Sequence, residues 1–184
     1  MELQEETSRE NPSVDSGEQA ELFTAAYRAF SPAVLGYLRA RGVDDPEAIT
    51  QDVFLALYSR LDSLHGGLDG AKALLFTIAH SRTVDHYRRR ERTPMLVPHD
   101  PESDPRTTSM TAEDVALSGS GVVSLLDELT EDHREVLLLR VVADLSLEQT
   151  ADVMGRTTGA IKQLQRRALS ALRSQALITE QSHS

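Results

Sequence analysis

Residues 125–173 read LLDELTEDHREVLLLRVVADLSLEQTADVMGRTTGAIKQLQRRALSALR. The second half of this run has the pattern of helix, tight turn, helix. Ser146-Leu147-Glu148-Gln149 has the form of a capping box, in which the serine oxygen accepts from an orphan backbone N–H and the residue three positions on answers it. Ala151, Val153 and Met154 follow at helical spacing as inward-facing positions, and Gly155 can take the left-handed conformation that ends a helix. Thr157 or Thr158 caps the next helix, whose apolar stripe is Ile161, Leu164, Ala168, Leu169 and Leu172. Lys162, Gln163, Arg166, Arg167 and Arg173 fall outside the stripe, and no acid interrupts them. This is the layout of a helix-turn-helix whose second helix enters a DNA major groove.

A net charge of −10 and a pI near 5.0 argue at first against a nucleic-acid ligand, because phosphate binding needs cations. The distribution along the chain reverses that inference. The first twenty residues carry Glu2, Glu5, Glu6, Glu10, Asp15 and Glu18 against Arg9 alone, and residues 93–135 are also dominated by acids. Between them, Arg82, Arg88, Arg89, Arg90 and Arg92 stand against only Asp85 and Glu91. Charge is thus segregated into two basic helices and two acidic stretches. With no cysteine there is no disulfide framework and no thiolate metal site. No apolar run approaches the roughly 20 residues of a membrane span, and the acidic N-terminus is the opposite of a signal peptide's start, so a cytoplasmic protein without membrane insertion is expected.

Helical periodicity recurs and β-branched alternation is nearly absent, so the expected fold is all-α: two small helical domains joined by a flexible acidic linker, the second a helix-turn-helix domain. Residues 1–20 form an expected disordered acidic tail. The first domain covers 21–92. Its first helix carries Leu22, Ala25, Ala26, Ala29, Val34, Leu35 and Leu38, with Ser31-Pro32 marking a kink or a second start. Asp45 and Pro46 open a second helix that buries Ile49, Val53, Phe54 and Leu57. Residues 62–70 contain Gly66, Gly67 and Gly70 and read as a loop before a long helix over 71–92. Residues 93–121 hold four prolines, scattered acids and a Ser-Gly-Ser-Gly run, and read as the linker. The second domain covers 122–174, with Thr130 as a cap between its first two helices, and 175–184 is a C-terminal tail.

Two helical domains, each with a basic helix, joined by an acidic linker, resemble one family. In the first domain the matching runs are Tyr37-Leu38-Arg39-Ala40-Arg41, the helix from Pro46 to Leu57, Leu75-Phe76-Thr77-Ile78-Ala79-His80, and Val84-Asp85-His86-Tyr87-Arg88-Arg89-Arg90. In the second they are Leu126-Asp127-Glu128-Leu129, Arg134-Glu135-Val136-Leu137-Leu138-Leu139-Arg140 and the helix-turn-helix. Each run is weak alone; their order and spacing are specific. The chain is similar to extracytoplasmic-function (ECF) sigma factors, the small two-domain group of the sigma-70 family. It departs from the family in having Leu74 where a tryptophan is usual and Ser81 where an asparagine is usual. Its recognition helix, Thr-Thr-Gly-Ala-Ile-Lys-Gln-Leu-Gln-Arg-Arg-Ala, also differs from the Gly-Thr-Val-Lys-Ser-Arg-Leu of many members.

The resemblance implies partners: core RNA polymerase through the clamp helices and flap of its catalytic subunits, promoter DNA, and an anti-sigma factor. It assigns core binding to Gln51, Asp52, Phe54 and Leu55, with Phe54 or Leu55 as the apolar anchor and Asp52 facing a clamp arginine. It assigns the minus-ten element and its melting to His65, Gly66, Ser81, Arg82, Asp85, His86, Tyr87, Arg88 and Arg89, where cations track phosphates and His86 and Tyr87 offer stacking faces. It assigns the minus-thirty-five element to Arg156, Thr157, Thr158, Ala160, Lys162, Gln163, Arg166 and Arg167. The acids of the linker, Asp100, Glu102, Asp104, Glu113 and Asp114, would mimic RNA charge in a basic polymerase channel. The competing reading is a stand-alone helix-turn-helix regulator that binds operator DNA without polymerase. An enzyme is not expected: His80 and Asp85 lie five apart, on different faces of one helix, and the chain has no nucleophile motif or phosphate-cradling glycine loop. Neither a cofactor nor a metal is implied.

Overall fold

The computed structural model describes residues 16–92, 126 and 129–181, the backbone alone at Ser16 and at 176–181. The acidic tail before Ser16 and the linker over 93–121 lie outside the described residues. The first unit is built from α1 (Ser16–Ala40), α2 (Pro46–Tyr58), a 3-10 turn (Leu61–Ser63) and α3 (Gly67–Arg92). The second is built from α4 (Glu131–Leu137), a π-helical segment (Leu138–Val142), α5 (Leu147–Met154) and α6 (Thr158–Gln181). Every described element is helical.

The starts and stops follow local chemistry. Asp45 caps α2 by accepting from the Ala48 N–H at 2.9 Å, with Pro46 at the first helical position, where its missing N–H costs nothing. Thr130 caps α4 through the His133 N–H at 3.4 Å. Several boundaries differ from the sequence expectation. Helix α1 begins at Ser16 rather than after residue 20, its first turn tied down by Gln19 Nε2 donating to Asp62 Oδ1 at 2.6 Å. It also runs through Pro32 without a second start; Ala26, Val34, Tyr37 and Leu38, on either side of the proline, are buried in the same core. Helix α3 starts at Gly67, inside the expected loop, and α6 continues past residue 174 to Gln181.

The two units are not separate beads. The π segment packs against α1, and α5 packs against α3. Tyr37, Leu38, Val53, Leu57, Leu75 and Phe76 of the first unit form one continuous core with Leu138, Leu139, Ala143, Leu145 and Val153 of the second. A smaller cluster of Leu129, Val136, Leu137, Ala151, Ile161 and Ala168 holds the helix-turn-helix together.

At the rim of the shared core sits a buried polar cluster. Tyr37 Oη donates to Glu135 Oε1 at 2.6 Å, and His80 Nδ1 lies 2.8 Å from the same oxygen. Arg41 Nε approaches Glu135 Oε2 at 3.1 Å, an ionic contact whose angle is poor for a hydrogen bond, and Arg41 Nη2 donates to Glu131 Oε1 at 2.9 Å. Arg41 and Glu135 are each 3% exposed as side chains. Across the same seam Lys72 Nζ donates to the Asp144 carbonyl at 2.9 Å. Asp144 has φ +50, a left-handed backbone that aspartate tolerates better than most residues.

Candidate nucleic-acid interface

The helix-turn-helix forms as its sequence reads. Ser146 Oγ accepts from the Gln149 N–H at 3.1 Å while Gln149 Oε1 accepts from the Ser146 N–H at 2.9 Å, which completes the capping box. Gly155 ends α5 at φ 62, ψ 38, and Thr157, not Thr158, caps α6 by accepting from the Ala160 N–H at 3.2 Å. Ile161 and Ala168 are buried, with Leu164 and Leu172 half-buried beside them. Leu169 does not join them: it stands about 100° around the helix from Ala168 and remains exposed.

Thr157, Thr158, Ala160, Lys162, Gln163, Arg166 and Arg167 are all exposed, so the face expected to meet a DNA groove is open. Within it, Arg166 Nη2 donates to Gln163 Oε1 at 3.0 Å, and Arg156 Nη2 pairs with Asp132 Oδ2 at 2.6 Å. Arg140 braces this unit from within, donating from Nε to Gln165 Oε1 at 3.4 Å and from Nη1 to the Leu145 carbonyl.

On α3, Ser81, Arg82, Arg88 and Arg89 are exposed, and Asp85 is half-buried with Oδ1 4.0 Å from Arg88 Nη1. His86 and Tyr87 are not open stacking platforms. His86 Nε2 lies 3.5 Å from Asp44 Oδ2, and the Tyr87 hydroxyl donates to the Arg41 carbonyl while its ring lies 5.7 Å from the Arg41 guanidinium. Both rings are half-buried and hold α3 against the segment that connects α1 to α2. Before α3, His65 and Gly66 are exposed, and Gly66 and Gly67 both have positive φ, +84 and +56, which reverses the chain into the helix.

On α2, Gln51 and Asp52 are exposed, and Leu55 is 66% exposed. Phe54 is only 2% exposed, its ring edge-on to Phe23 and Tyr27, so it is core and not an available anchor. The exposed apolar partner of Leu55 is Tyr58, 61% exposed and one helical turn further on, a residue the sequence reading passed over. Its signal was the spacing Asp52, Leu55, Tyr58, which runs along one edge of α2.

Two family models match this chain in order: Sigma-70 region 2 over residues 26–93 and Sigma-70 region 4 over residues 125–174. The chain belongs to the ECF group of the sigma-70 family. It is 32% identical to the ECF RNA polymerase sigma factor ShbA of Streptomyces griseus over 79% of this chain and 82% of that protein. It is 33% identical to SigD of Mycobacterium tuberculosis over 78% of this chain and 72% of that one. BldN of Streptomyces coelicolor is 32% identical over 84% of this chain, which spans 60% of BldN's length. Among solved structures, CnrH in complex with the cytosolic domain of CnrY shares the fold at a TM-score of 0.62 and 21% identity, covering 86% of this chain and 94% of that one. Among the described residues of this sigma factor, no helix is long and apolar enough to cross a membrane.

The electrostatics of the seam follow from burial. Burial pushes the Glu135 carboxyl up, but the hydrogen bond from His80, the Arg41 guanidinium and the Tyr37 hydroxyl outweigh it and hold the carboxyl below its ordinary value. Burial and the neighbouring Glu135 raise the Tyr37 hydroxyl well above its usual range, so it stays a neutral donor. A carboxylate with a depressed folded pKa contributes stability above its unfolded value, and that stability is lost as pH falls through the folded value. The melting temperature of this sigma factor should therefore fall as pH drops below the unfolded glutamate value of about 4.3. In Glu135→Gln the fall should be shallower; parallel curves would show that Glu135 plays no part in the acid sensitivity.

Proposed function

We propose that this sigma factor binds core RNA polymerase and directs it to a specific set of promoters, and that it works in the cytoplasm without catalysing a reaction itself. The observation that carries the reading is the presence, in order on one chain, of both family regions. A stand-alone operator-binding regulator needs only the second. The division of labour follows the exposed surfaces. Gln51, Asp52, Leu55 and Tyr58 form the core-binding edge. His65, Gly66, Ser81, Arg82, Arg88 and Arg89 meet the minus-ten element. Lys162 and Gln163, near the start of α6, reach bases of the minus-thirty-five element, with Arg167 on phosphate.

RpoE of Bartonella quintana has been solved with the anti-sigma factor NepR, at 23% identity and a TM-score of 0.60, covering 83% of this chain and 94% of that one. By extension we assign this chain an anti-sigma partner as well. The test of the function is transcription of genomic DNA by core polymerase with and without the protein, with transcript 5′ ends mapped. Start sites sharing two spaced upstream elements are expected only when it is present. Asp52→Arg combined with Leu55→Ala should weaken core binding at least about tenfold, equivalent to about 1.4 kcal/mol, without lowering the melting temperature. Operator-like binding by the protein alone, with no effect on polymerase, would favour the stand-alone regulator.

A further inference from the structure

A glutamine on a recognition helix can read a base in more than one way. Its amide carries an acceptor and donors, and the bidentate contact with adenine uses both: Oε1 accepts from the N6 amino group while Nε2 donates to N7. Gln163 is not in that state. Its Oε1 accepts from Arg166 Nη2 at 3.0 Å, between two exposed side chains one turn apart on α6. The direction of this bond cannot reverse. A guanidinium has donors and no acceptor, so the amide atom that faces it is the oxygen. What Gln163 has left for a DNA groove is Nε2, a donor.

The choice of base follows. A hydrogen bond from a cation is roughly twice as strong as one between neutral groups, so a bidentate contact with adenine would exchange the stronger partner for a weaker one. Guanine requires no exchange. Its major-groove edge offers two acceptors, N7 and O6, to Nε2 of Gln163 and the remaining N–H groups of Arg166, whereas thymine offers O4 alone beside a methyl group. The surrounding face has the same bias. Thr157 Oγ1 already accepts from the Ala160 N–H at 3.2 Å, and Lys162 ends in a donor. Gln165 is half-buried, its Oε1 turned to Arg140 Nε at 3.4 Å. No carboxylate, the group that would accept from the N4 amino group of cytosine, occurs between Thr157 and Arg173.

We propose that Arg166 sets the base specificity of Gln163 by occupying its acceptor, so that the pair selects guanine and rejects adenine in the upstream promoter element. The inference rests on the sigma-factor reading above and adds to it the base that this face recognises.

The test is selection from a duplex library randomised over the upstream element, run with holoenzyme and, at low salt, with the full chain alone. The position read by Gln163 is the one whose preference is lost in Gln163→Ala. The wild-type protein should select guanine there. Arg166→Met keeps an unbranched side chain but removes the donors. It frees Oε1 and should move the preference at that position to adenine by at least about tenfold, within the discrimination of one bidentate base contact. Arg166→Lys still presents a donor one turn away and should keep guanine. Both residues are exposed, so the melting temperatures should stay together. Adenine selected by the wild type, or guanine retained in Arg166→Met, would overturn the proposal. So would a loss of affinity in Arg166→Met that is equal for all sequences and flattens the salt dependence, the signature of a phosphate contact. If Gln163→Ala leaves every position unchanged, the pair reads no base and the proposal falls. A wild-type holoenzyme that gives no promoter-specific transcript sinks the sigma-factor reading instead, while selection by the chain alone still decides the base preference.

Discussion

Phe54→Ala is expected to destabilise the first unit by about 3–5 kcal/mol, the range for deleting a buried aromatic ring. Leu55→Ala, one residue away, should change stability by no more than about 0.5 kcal/mol and act on polymerase binding instead. The two side chains leave α2 about 100° apart. Phe54 closes an aromatic cluster with Phe23 at 6.3 Å and Tyr27 at 4.9 Å between ring centroids, and it packs with Val53, Leu57 and Leu61 in the main core. Truncation there leaves a cavity that rigid helices cannot collapse around. Leu55 has no comparable packing to lose. Urea denaturation of both variants, with titration of core polymerase, separates the roles. Comparable loss of stability in the two, or a fully stable Phe54→Ala protein, would return Phe54 to the polymerase-facing surface.

Gly70→Val should be the most damaging single change in the first turn of α3. Gly70 lies in the first turn of that helix, its N–H bonded to the Gly66 carbonyl at 3.1 Å. A Cβ built at Gly70 would collide with the backbone carbonyl oxygen of His65, which no rotamer change can relieve. Either His65 and Gly66 move or the first turn unwinds, at a cost of about 1–3 kcal/mol as in other overpacked sites. The same displacement would carry His65 and Gly66 away from their place at the head of the basic helix. The variant should therefore lose use of the minus-ten element while keeping upstream binding by α6, as read by holoenzyme footprints. Gly67→Ala is the control: the left-handed φ strains it, but a Cβ there meets nothing within 4 Å. Equal effects of the two substitutions would show that the collision at Gly70 is not what shapes the loop.

What could be read directly from the chain was chemistry acting over three or four residues. Asp45, Thr130, Ser146 with Gln149, Gly155 and Thr157 all act on backbone groups within one helical turn of themselves, so their spacing alone announces the caps. The 3.6-residue period likewise placed Val53, Leu57, Ile161 and Ala168 inside, because a helix repeats the same geometry wherever it sits. The segregated cations singled out two basic helices, and the ordered runs of sequence carried the family, whose two regional models match this chain.

The long-range pairings carry no such local signal. Glu135 meets Tyr37 and His80 from 98 and 55 residues away, and nothing in their own neighbourhoods distinguishes them from exposed polar positions. Tyr87 and His86 looked like stacking faces until Arg41 and Asp44 occupied them. A wide apolar stripe made Phe54 and Leu55 both plausible anchors, and which one faces solvent depends on where α1 lies against α2. The joining of two units into one core is of the same kind. It depends on shape and charge matching between surfaces each of which, taken alone, reads as an ordinary half-apolar helix face.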